Sequence, residues 1–160
     1  MLRPLFVLIG SLLLVLATGC SSFDQRWSQM PAMNAASAAL PLAGKWDGSW
    51  QSAGGHSGAL RAIIDTNEAP SSATGAGSQH YAATFKSTYQ VILSGTYTVD
   101  LVATRRPDGS TAFQGSKDLG PLAGGLYQYD GQVKGDQFTA TYSCPKDHGT
   151  FTMTRVTGGH

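Results

Sequence analysis

The chain reads Gly44-Lys45-Trp46-Asp47-Gly48-Ser49-Trp50 at the point where its apolar pattern first becomes regular. Successive side chains of a β-strand point to opposite faces, so both tryptophans fall on one face and the charged residues on the other. Gly48 shares the tryptophan face, where we expect it to make room between the two indoles. This stretch therefore predicts a half-buried first strand.

Seven more segments show the same period of two, and turn residues separate them. They cover about residues 56–66, 79–88, 91–104, 111–119, 126–131 and 136–144, with a last one around Phe151 and Met153. Closing a sheet removes its exposed edges. We therefore predict an all-β domain of about eight antiparallel strands that forms an up-and-down β-barrel or a strongly curved sheet, with a two-sheet β-sandwich as the alternative.

The composition fits one small domain that folds without a disulfide. Charged residues make up 13% of the 160 residues, glycine occurs 20 times, and Cys20 and Cys144 are the two cysteines. Eleven Lys and Arg stand against ten Asp and Glu, so nothing in the charge balance favours nucleic acid as a partner.

An apolar run precedes the domain and ends in Leu16-Ala17-Thr18-Gly19-Cys20. Arg3 supplies a positive start, residues 5–16 a hydrophobic segment, and small residues before Cys20 suit a peptidase cleft. These parts, in this order, resemble the lipobox of bacterial lipoproteins. A transmembrane helix and an ordinary secretory signal cut near residues 36–38 are the alternatives, but the run is shorter than the ~20 apolar residues of a membrane span.

The lipobox resemblance implies cleavage between Gly19 and Cys20, a diacylglyceryl group on the Cys20 sulfur, and acylation of the new amine. Several acyl chains together anchor a protein stably to lipid. Many such proteins are retained in the inner membrane by an aspartate directly after the cysteine, and this sequence has Ser21 at that position. We therefore expect the protein to be anchored at the periplasmic face of the outer membrane.

This interpretation divides the chain into four parts. Residues 1–19 form a cleaved signal peptide, residues 20–43 the lipidated cysteine and a flexible tether, residues 44–157 one all-β domain, and residues 158–160 a tail. Within the tether, Phe23 and Trp27 could instead dock on a folded surface or lie among lipid headgroups.

The Gly44-Lys45-Trp46 sequence on the first strand resembles the Gly-x-Trp opening of lipocalins and other calycins. In that family an Arg near the end of the last strand packs over the Trp, and Arg155 occupies the matching place here. Strand parity independently puts Arg155 on the apolar face, where a cation–π contact would help to satisfy it. The family's Thr-Asp-Tyr turn, its disulfides and its C-terminal helix are absent from this sequence, which leaves the match at about ten residues.

Cys144, Asp147 and His148 lie close together in sequence and are residue types that can supply a nucleophile, an orienting group and a base. They fall in a turn without a further recognisable motif, so we expect Cys144 to be a small apolar residue and assign no catalytic residues.

A metal could in principle be bound by three histidines, His56, His80 and His148, together with Asp118 or Asp147. Their spacing does not support a metal site, and we predict neither a metal nor another cofactor.

Inward-facing aromatic residues most often form the core, but in a barrel of this size they can also line a ligand cavity. Tyrosine hydroxyls on inward parities need partners, and an eight-stranded barrel is either filled or just wide enough for one small ligand. The candidate ligand-binding or structural residues are Trp46, Trp50, Tyr127, Tyr129 and Arg155. We expect a non-catalytic binding or protein-interaction domain. The alternatives are a carrier of a small apolar or amphiphilic ligand, with the loop of residues 67–78 near the barrel mouth, and an enzyme or metal protein that uses the Cys144 region.

Overall fold

The computed structural model describes residues 22–32, 39–67, 77–89 and 93–158. The predictions for the signal peptide, for Cys20, for most of the loop at residues 67–78 and for the end of the tail therefore lie outside the described residues.

Eight antiparallel strands form one closed barrel in which each strand pairs with its neighbours in sequence and β1 pairs with β8. The strands are β1 (Gly44–Ser52), β2 (Ser57–Thr66), β3 (Ser78–Tyr89), β4 (Leu93–Arg105), β5 (Thr111–Asp118), β6 (Leu126–Lys134), β7 (Gln137–Ser143) and β8 (His148–Arg155). The other elements are the helix α1 (Ser22–Gln29) and a 3₁₀ turn at Pro121–Ala123. The closed barrel confirms the predicted fold class, and the sandwich alternative is wrong.

The barrel interior is built from the residues that strand parity placed there. Every second residue of β7 and β8 is buried, for example, while the residues between them are exposed. The centre is filled by aromatic and aliphatic side chains: Trp46, Leu60, Tyr81, Phe85, Leu101, Phe113, Phe138 and Met153. The ring centroids of Phe113 and Phe138 are 4.7 Å apart, and those of Trp46 and Phe138 are 5.6 Å apart.

Inward-facing glycines lie directly opposite large aromatic residues on the neighbouring strands. The register pairs are Trp50 with Gly58, Phe113 with Gly131, Tyr129 with Gly115, and Tyr142 with Gly149. A Cβ built on each of these glycines would meet a neighbouring atom at 2.6 Å or less. The nearest atom is in each case a backbone oxygen of a neighbouring strand, and ring atoms also lie within 2.7 Å at Gly58, Gly131 and Gly149. Alternating small and large residues lets bulky rings fit inside a narrow barrel, so these three glycines make room for the aromatic interior.

Gly48 has a different role from the one predicted. A Cβ at this position would lie 2.1 Å from the Thr152 carbonyl oxygen and 2.6 Å from the Met153 Cα, which are backbone atoms of β8. The prediction that Gly48 separates two indoles is therefore wrong. Its missing side chain allows the first and last strands to approach closely where the barrel closes.

Arg155 fills one end of the barrel, which we call the closed end, where β1 begins and β8 ends. Its guanidinium carbon lies 4.1 Å from the ring centroid of Trp46, so the predicted cation–π contact is confirmed. The Arg155 side chain is fully buried; it donates hydrogen bonds to the carbonyl oxygens of Ala43 and Pro41 and to the Asp136 carboxylate. The chain before β1 thus covers this end, and Leu42 is fully buried there.

Helix α1 packs on the outer wall of β1, β2 and β3, so these residues form no flexible tether, and Phe23 and Trp27 dock on the folded surface as the alternative proposed. Phe23 is 2% exposed, and the ammonium of Lys86 lies 2.6 Å from the Asp24 carboxylate. Ile63 points outward by parity and yet is fully buried, because the helix covers this face. Within the described ranges, no helix has the length and apolar content needed to cross a membrane.

The strand ends that flank residues 67–78 lie at the closed end. Thr66 pairs with Tyr81, and Ser78 pairs with Thr104 near the end of β4. We expected this loop near the mouth of the barrel. The strand ends on both sides of the loop lie at the closed end, and residues 68–76 of the loop itself are outside the described residues.

Candidate functional site: an aromatic pocket at the barrel mouth

A pocket of about 260 Å³ opens at the end of the barrel where β1 ends and β8 begins. We call this end the mouth. The lining residues come from strands around the barrel and from the connections beside them: Trp50, Ser87, Tyr89, Tyr97, Leu119, Tyr127, Tyr142, Asp147 and Phe151. Six of these nine side chains are aromatic. The mouth half of the barrel is thus open, although the half towards Trp46 is filled.

Stacked rings form the wall of the pocket. Tyr129 lies between Tyr97 and Tyr127, with centroids 6.4 and 6.2 Å away and planes nearly parallel. Trp50 stacks on Tyr89 at 6.0 Å on the other side. Offset stacking of this kind holds aromatic side chains in defined orientations, so the wall is largely preformed.

Hydrogen bonds to the protein hold several of these side chains. The Trp50 indole donates to the Thr88 carbonyl oxygen at 3.0 Å, passing over Gly58. The Tyr127 hydroxyl donates to the Ala123 carbonyl oxygen at 2.9 Å. Both polar groups are thereby fixed by the backbone of neighbouring segments.

Among the described residues that line the pocket, Asp147 has the one charged side chain. It accepts hydrogen bonds from the Tyr142 hydroxyl at 2.9 Å and from the Ser52 hydroxyl at 2.8 Å. Its partial burial favours the neutral acid, but these two hydrogen bonds and the nearby His148 favour the carboxylate, and the pKa of Asp147 is lowered overall. Asp147 therefore carries its negative charge at neutral pH.

Burial keeps the pocket tyrosines neutral. Desolvation, together with the Cys144 thiol beside its hydroxyl, raises the pKa of Tyr127 to about 12. Desolvation also raises the pKa of Tyr97, Tyr129 and Tyr142 well above the ordinary value. These hydroxyls act as hydrogen-bonding groups and not as bases near neutral pH.

Tyr129 has the least satisfied hydroxyl of the group. Tyr129 is 4% exposed, and its oxygen has no hydrogen-bond partner among the described residues. The Tyr97 hydroxyl is close enough to affect the pKa of Tyr129, but the two oxygens do not meet hydrogen-bond geometry. A buried polar group without a partner is destabilising, so a polar ligand atom or water at this place would be favourable.

The structure separates the residues predicted to bind a ligand or to support the fold into two groups. Trp50 and Tyr127 line the pocket and Tyr129 stacks against its wall, whereas Trp46 and Arg155 lie at the closed end. Tyr89 was not predicted as a pocket residue because the third strand was expected to end at Thr88. With β3 extended to Tyr89, parity alone would have placed its ring inward.

Cys144 and Asp147 lie in the turn between β7 and β8 and His148 begins β8, but the three are not arranged as a nucleophile, an orienting group and a base. Both oxygens of Asp147 accept hydrogen bonds from Ser52 and Tyr142, and the His148 side chain is exposed. The Cys144 thiol lies beside the Tyr127 hydroxyl. No hydrogen bond joins Cys144 to His148 in the described part of the chain.

The predicted metal candidates do not converge. His80 is on β3 near the closed end, whereas His56 and His148 lie at the mouth end. Across residues 22–32, 39–67, 77–89 and 93–158, no group of three His, Cys, Asp or Glu side chains could share an ion. The Asp118 carboxylate instead accepts a hydrogen bond from the backbone N–H of Gly120, at 2.8 Å.

Comparisons of the chain with protein-family models, with curated proteins and with solved structures find no match. The proposal that follows therefore rests on the chemistry of the residues themselves.

Proposed function

We propose that this chain is an envelope lipoprotein whose β-barrel binds a small molecule in the mouth pocket without transforming it. The protein is anchored through acylated Cys20 at the periplasmic face of the outer membrane. The observation that carries the binding function is the open aromatic pocket in an otherwise filled barrel. The anchor rests on the sequence that ends in Leu16-Ala17-Thr18-Gly19-Cys20.

The size and lining of the pocket support a small or partly inserted ligand. Its volume of about 260 Å³ is below the range of about 300–1,000 Å³ typical of sites for drug-sized molecules. A small aromatic or alkyl group fits such a space, as does one end of a longer amphiphile. Burial of apolar ligand surface against the rings supplies the affinity.

Asp147 supports binding over catalysis. A catalytic cysteine needs a base near its sulfur and donors for a developing oxyanion. The carboxylate that would orient such a base is held by Ser52 and Tyr142. This arrangement favours a fixed polar group in a binding site.

Leu122 at the mouth favours a second candidate, a protein-interaction surface. Its side chain is fully exposed and that of Leu126 is half exposed; Leu122 lies in the connection between β5 and β6, and Leu126 begins β6. An exposed apolar rim beside a pocket is typical of a docking site.

Mass spectrometry in the native host tests the anchor. We expect the wild-type protein to lack residues 1–19, to carry acyl chains and to fractionate with membranes. Cys20→Ala should abolish the acylation, whereas Cys144→Ala, the matched control at the other cysteine, should leave it intact. An unacylated soluble protein in the wild type would overturn the lipoprotein proposal.

Native mass spectrometry of protein isolated from its own envelope tests the binding function. We expect a bound small molecule that Ser87→Leu displaces, because this change fills the pocket. Ser116→Leu adds the same side chain on the outer wall and should leave the molecule bound. A wild-type protein with an empty pocket would overturn the ligand-binding proposal, and a co-purifying protein released by Leu122→Ser would favour the second candidate.

A further inference from the structure

We infer that the mouth pocket selects organic cations, in particular small aryl- or alkylammonium groups. The inference rests on the proposed binding function and names its ligand class. Two features of the pocket carry it: one carboxylate with no opposing cation in the lining, and aromatic rings around it.

The charge of the lining favours a cation. Asp147 contributes the single formal charge, and no Lys, Arg or His is among the nine lining residues. His148 follows Asp147 in sequence and favours its carboxylate form, but the His148 side chain is exposed and is not part of the pocket lining. Two other basic groups of the rim have partners of their own. Lys146 donates to the Pro121 carbonyl oxygen at 3.2 Å, and the His56 ring packs against Tyr89 with centroids 5.5 Å apart.

The aromatic lining adds to this preference. The faces of aromatic rings carry negative electrostatic potential, and a cation within about 6 Å of a ring centroid is attracted to it, most strongly where water is excluded. Trp50, Tyr89, Tyr97, Tyr127, Tyr142 and Phe151 surround the space. A neutral or anionic ligand gains the apolar contact without this electrostatic contribution.

Two tyrosine protons are already directed to protein acceptors. Tyr127 donates to Ala123 and Tyr142 donates to Asp147, so the oxygens of these hydroxyls offer lone pairs to a ligand. The Asp147 carboxylate and these two hydroxyl oxygens therefore offer acceptors to a ligand, which suits an ammonium group.

Three probes of similar size and different charge test the inference: phenethylammonium, 2-phenylethanol and phenylacetate. Each is titrated calorimetrically at neutral pH into the mature protein isolated from its host and held in lipid nanodiscs. We expect phenethylammonium to bind about tenfold more tightly than the alcohol, and phenylacetate to bind most weakly.

Asp147→Asn keeps the shape of the side chain and removes its charge. In this variant the ratio of the affinity for phenethylammonium to the affinity for the alcohol should fall by roughly fivefold. A change of this size is well within what one charge contributes to binding. Asp130→Asn is the matched control, since it makes the same change of net charge at an exposed position on the outer wall. It should leave all three affinities unchanged.

The outcomes separate the two proposals. If the alcohol or phenylacetate binds as tightly as phenethylammonium, or if Asp130→Asn acts like Asp147→Asn, selection of cations is overturned while ligand binding stands. If none of the three probes binds and the protein from its own envelope also carries no small molecule, both proposals fail.

Discussion

Arg155 is a fully buried charge at a barrel-interior position, and its surroundings explain how it can remain there. The guanidinium lies over Trp46, donates to two backbone carbonyl oxygens and pairs with Asp136. Desolvation lowers the pKa of Arg155, which the Asp136 carboxylate partly opposes. This set of contacts joins the end of β8 to the chain before β1 and so seals the closed end.

Removal of this side chain tests its role in stability. We expect Arg155→Ala to lower the free energy of unfolding by about 3–5 kcal/mol, because it leaves buried carbonyl groups and a cavity over Trp46. Urea unfolding followed by tryptophan fluorescence measures the change. Arg106→Ala, at an exposed arginine that donates a hydrogen bond to Gln132, should cost less than about 0.5 kcal/mol. Equal effects of the two substitutions would contradict the structural role.

The face of the sheet on which a single residue lies could be predicted wherever the alternation of side chains along one strand determines it. Parity placed Arg155 beside Phe151 and Met153, and the structure confirms this position. Strand parity did not reveal the role of Gly48, because the atoms that crowd this glycine belong to β8 and not to its own strand. Contacts across the closing seam depend on register, which one sequence does not contain.

At the scale of elements, α1 is the main departure from the sequence prediction. A helix of eight residues is marginal on its own in water, and only Phe23 within it is buried. Its stability comes from the wall on which it packs, where the Trp27 ring is 5.1 Å from the Arg61 guanidinium. A local sequence pattern could not reveal that partner surface.

A change at Phe23 tests whether it holds α1 on the barrel. We expect Phe23→Ala to weaken the docking by about 3 kcal/mol, the usual cost of removing a buried phenylalanine side chain. The barrel itself should stay folded, because its core does not include this residue. Trypsin should then cleave the native protein at Arg26 much faster.

Gln25→Ala is the control for this change, since Gln25 is an exposed residue of the same helix. It should leave the rate of cleavage at Arg26 unchanged. If Phe23→Ala also leaves that rate unchanged, the helix is held by its salt bridges and not by its apolar contact.

The pairing of aromatic residues with glycines is a second feature that only the assembled strands reveal. Gly115 and Tyr129 are on different strands and become neighbours through the register of β5 and β6. A Cβ at Gly115 would clash with Leu101 and with the Asp100 carbonyl oxygen of β4, so a larger residue does not fit at this position.

At the scale of the whole molecule, the strand number, the parity of each strand and the closure of the sheet could be predicted. Each follows from local alternation and from the instability of exposed edges. How far the barrel is filled could not be predicted, because it depends on how side chains from all eight strands meet. That property decides whether a pocket exists.

The tyrosine-rich interior predicts how stability changes at high pH. Burial raises the pKa of Tyr81, Tyr97, Tyr127, Tyr129 and Tyr142. Above about pH 10 the unfolded chain loses tyrosine protons that the folded chain retains. We therefore expect stability to be unaffected by these groups below about pH 10 and to fall as the pH rises towards about 12, the pKa of Tyr127.

Absorbance of tyrosinate near 295 nm measures this titration. The native protein should gain most of its tyrosinate signal well above pH 10, whereas the same chain in concentrated urea should titrate near the ordinary value. In the Tyr127→Phe variant, the titration curve of the native protein should lack the deprotonation of one tyrosine at high pH. Native and unfolded titration curves that coincide would show that the tyrosines are not buried.

The position of α1 sets how far the domain can travel from a bilayer. Helix α1 begins at Ser22, two residues after Cys20, and two residues span at most about 7 Å. A flexible linker over residues 20–43 would instead have an average reach of about 27 Å. If Cys20 carries the proposed lipid, the barrel stays within roughly a nanometre of the headgroups, and any ligand must be captured at that surface.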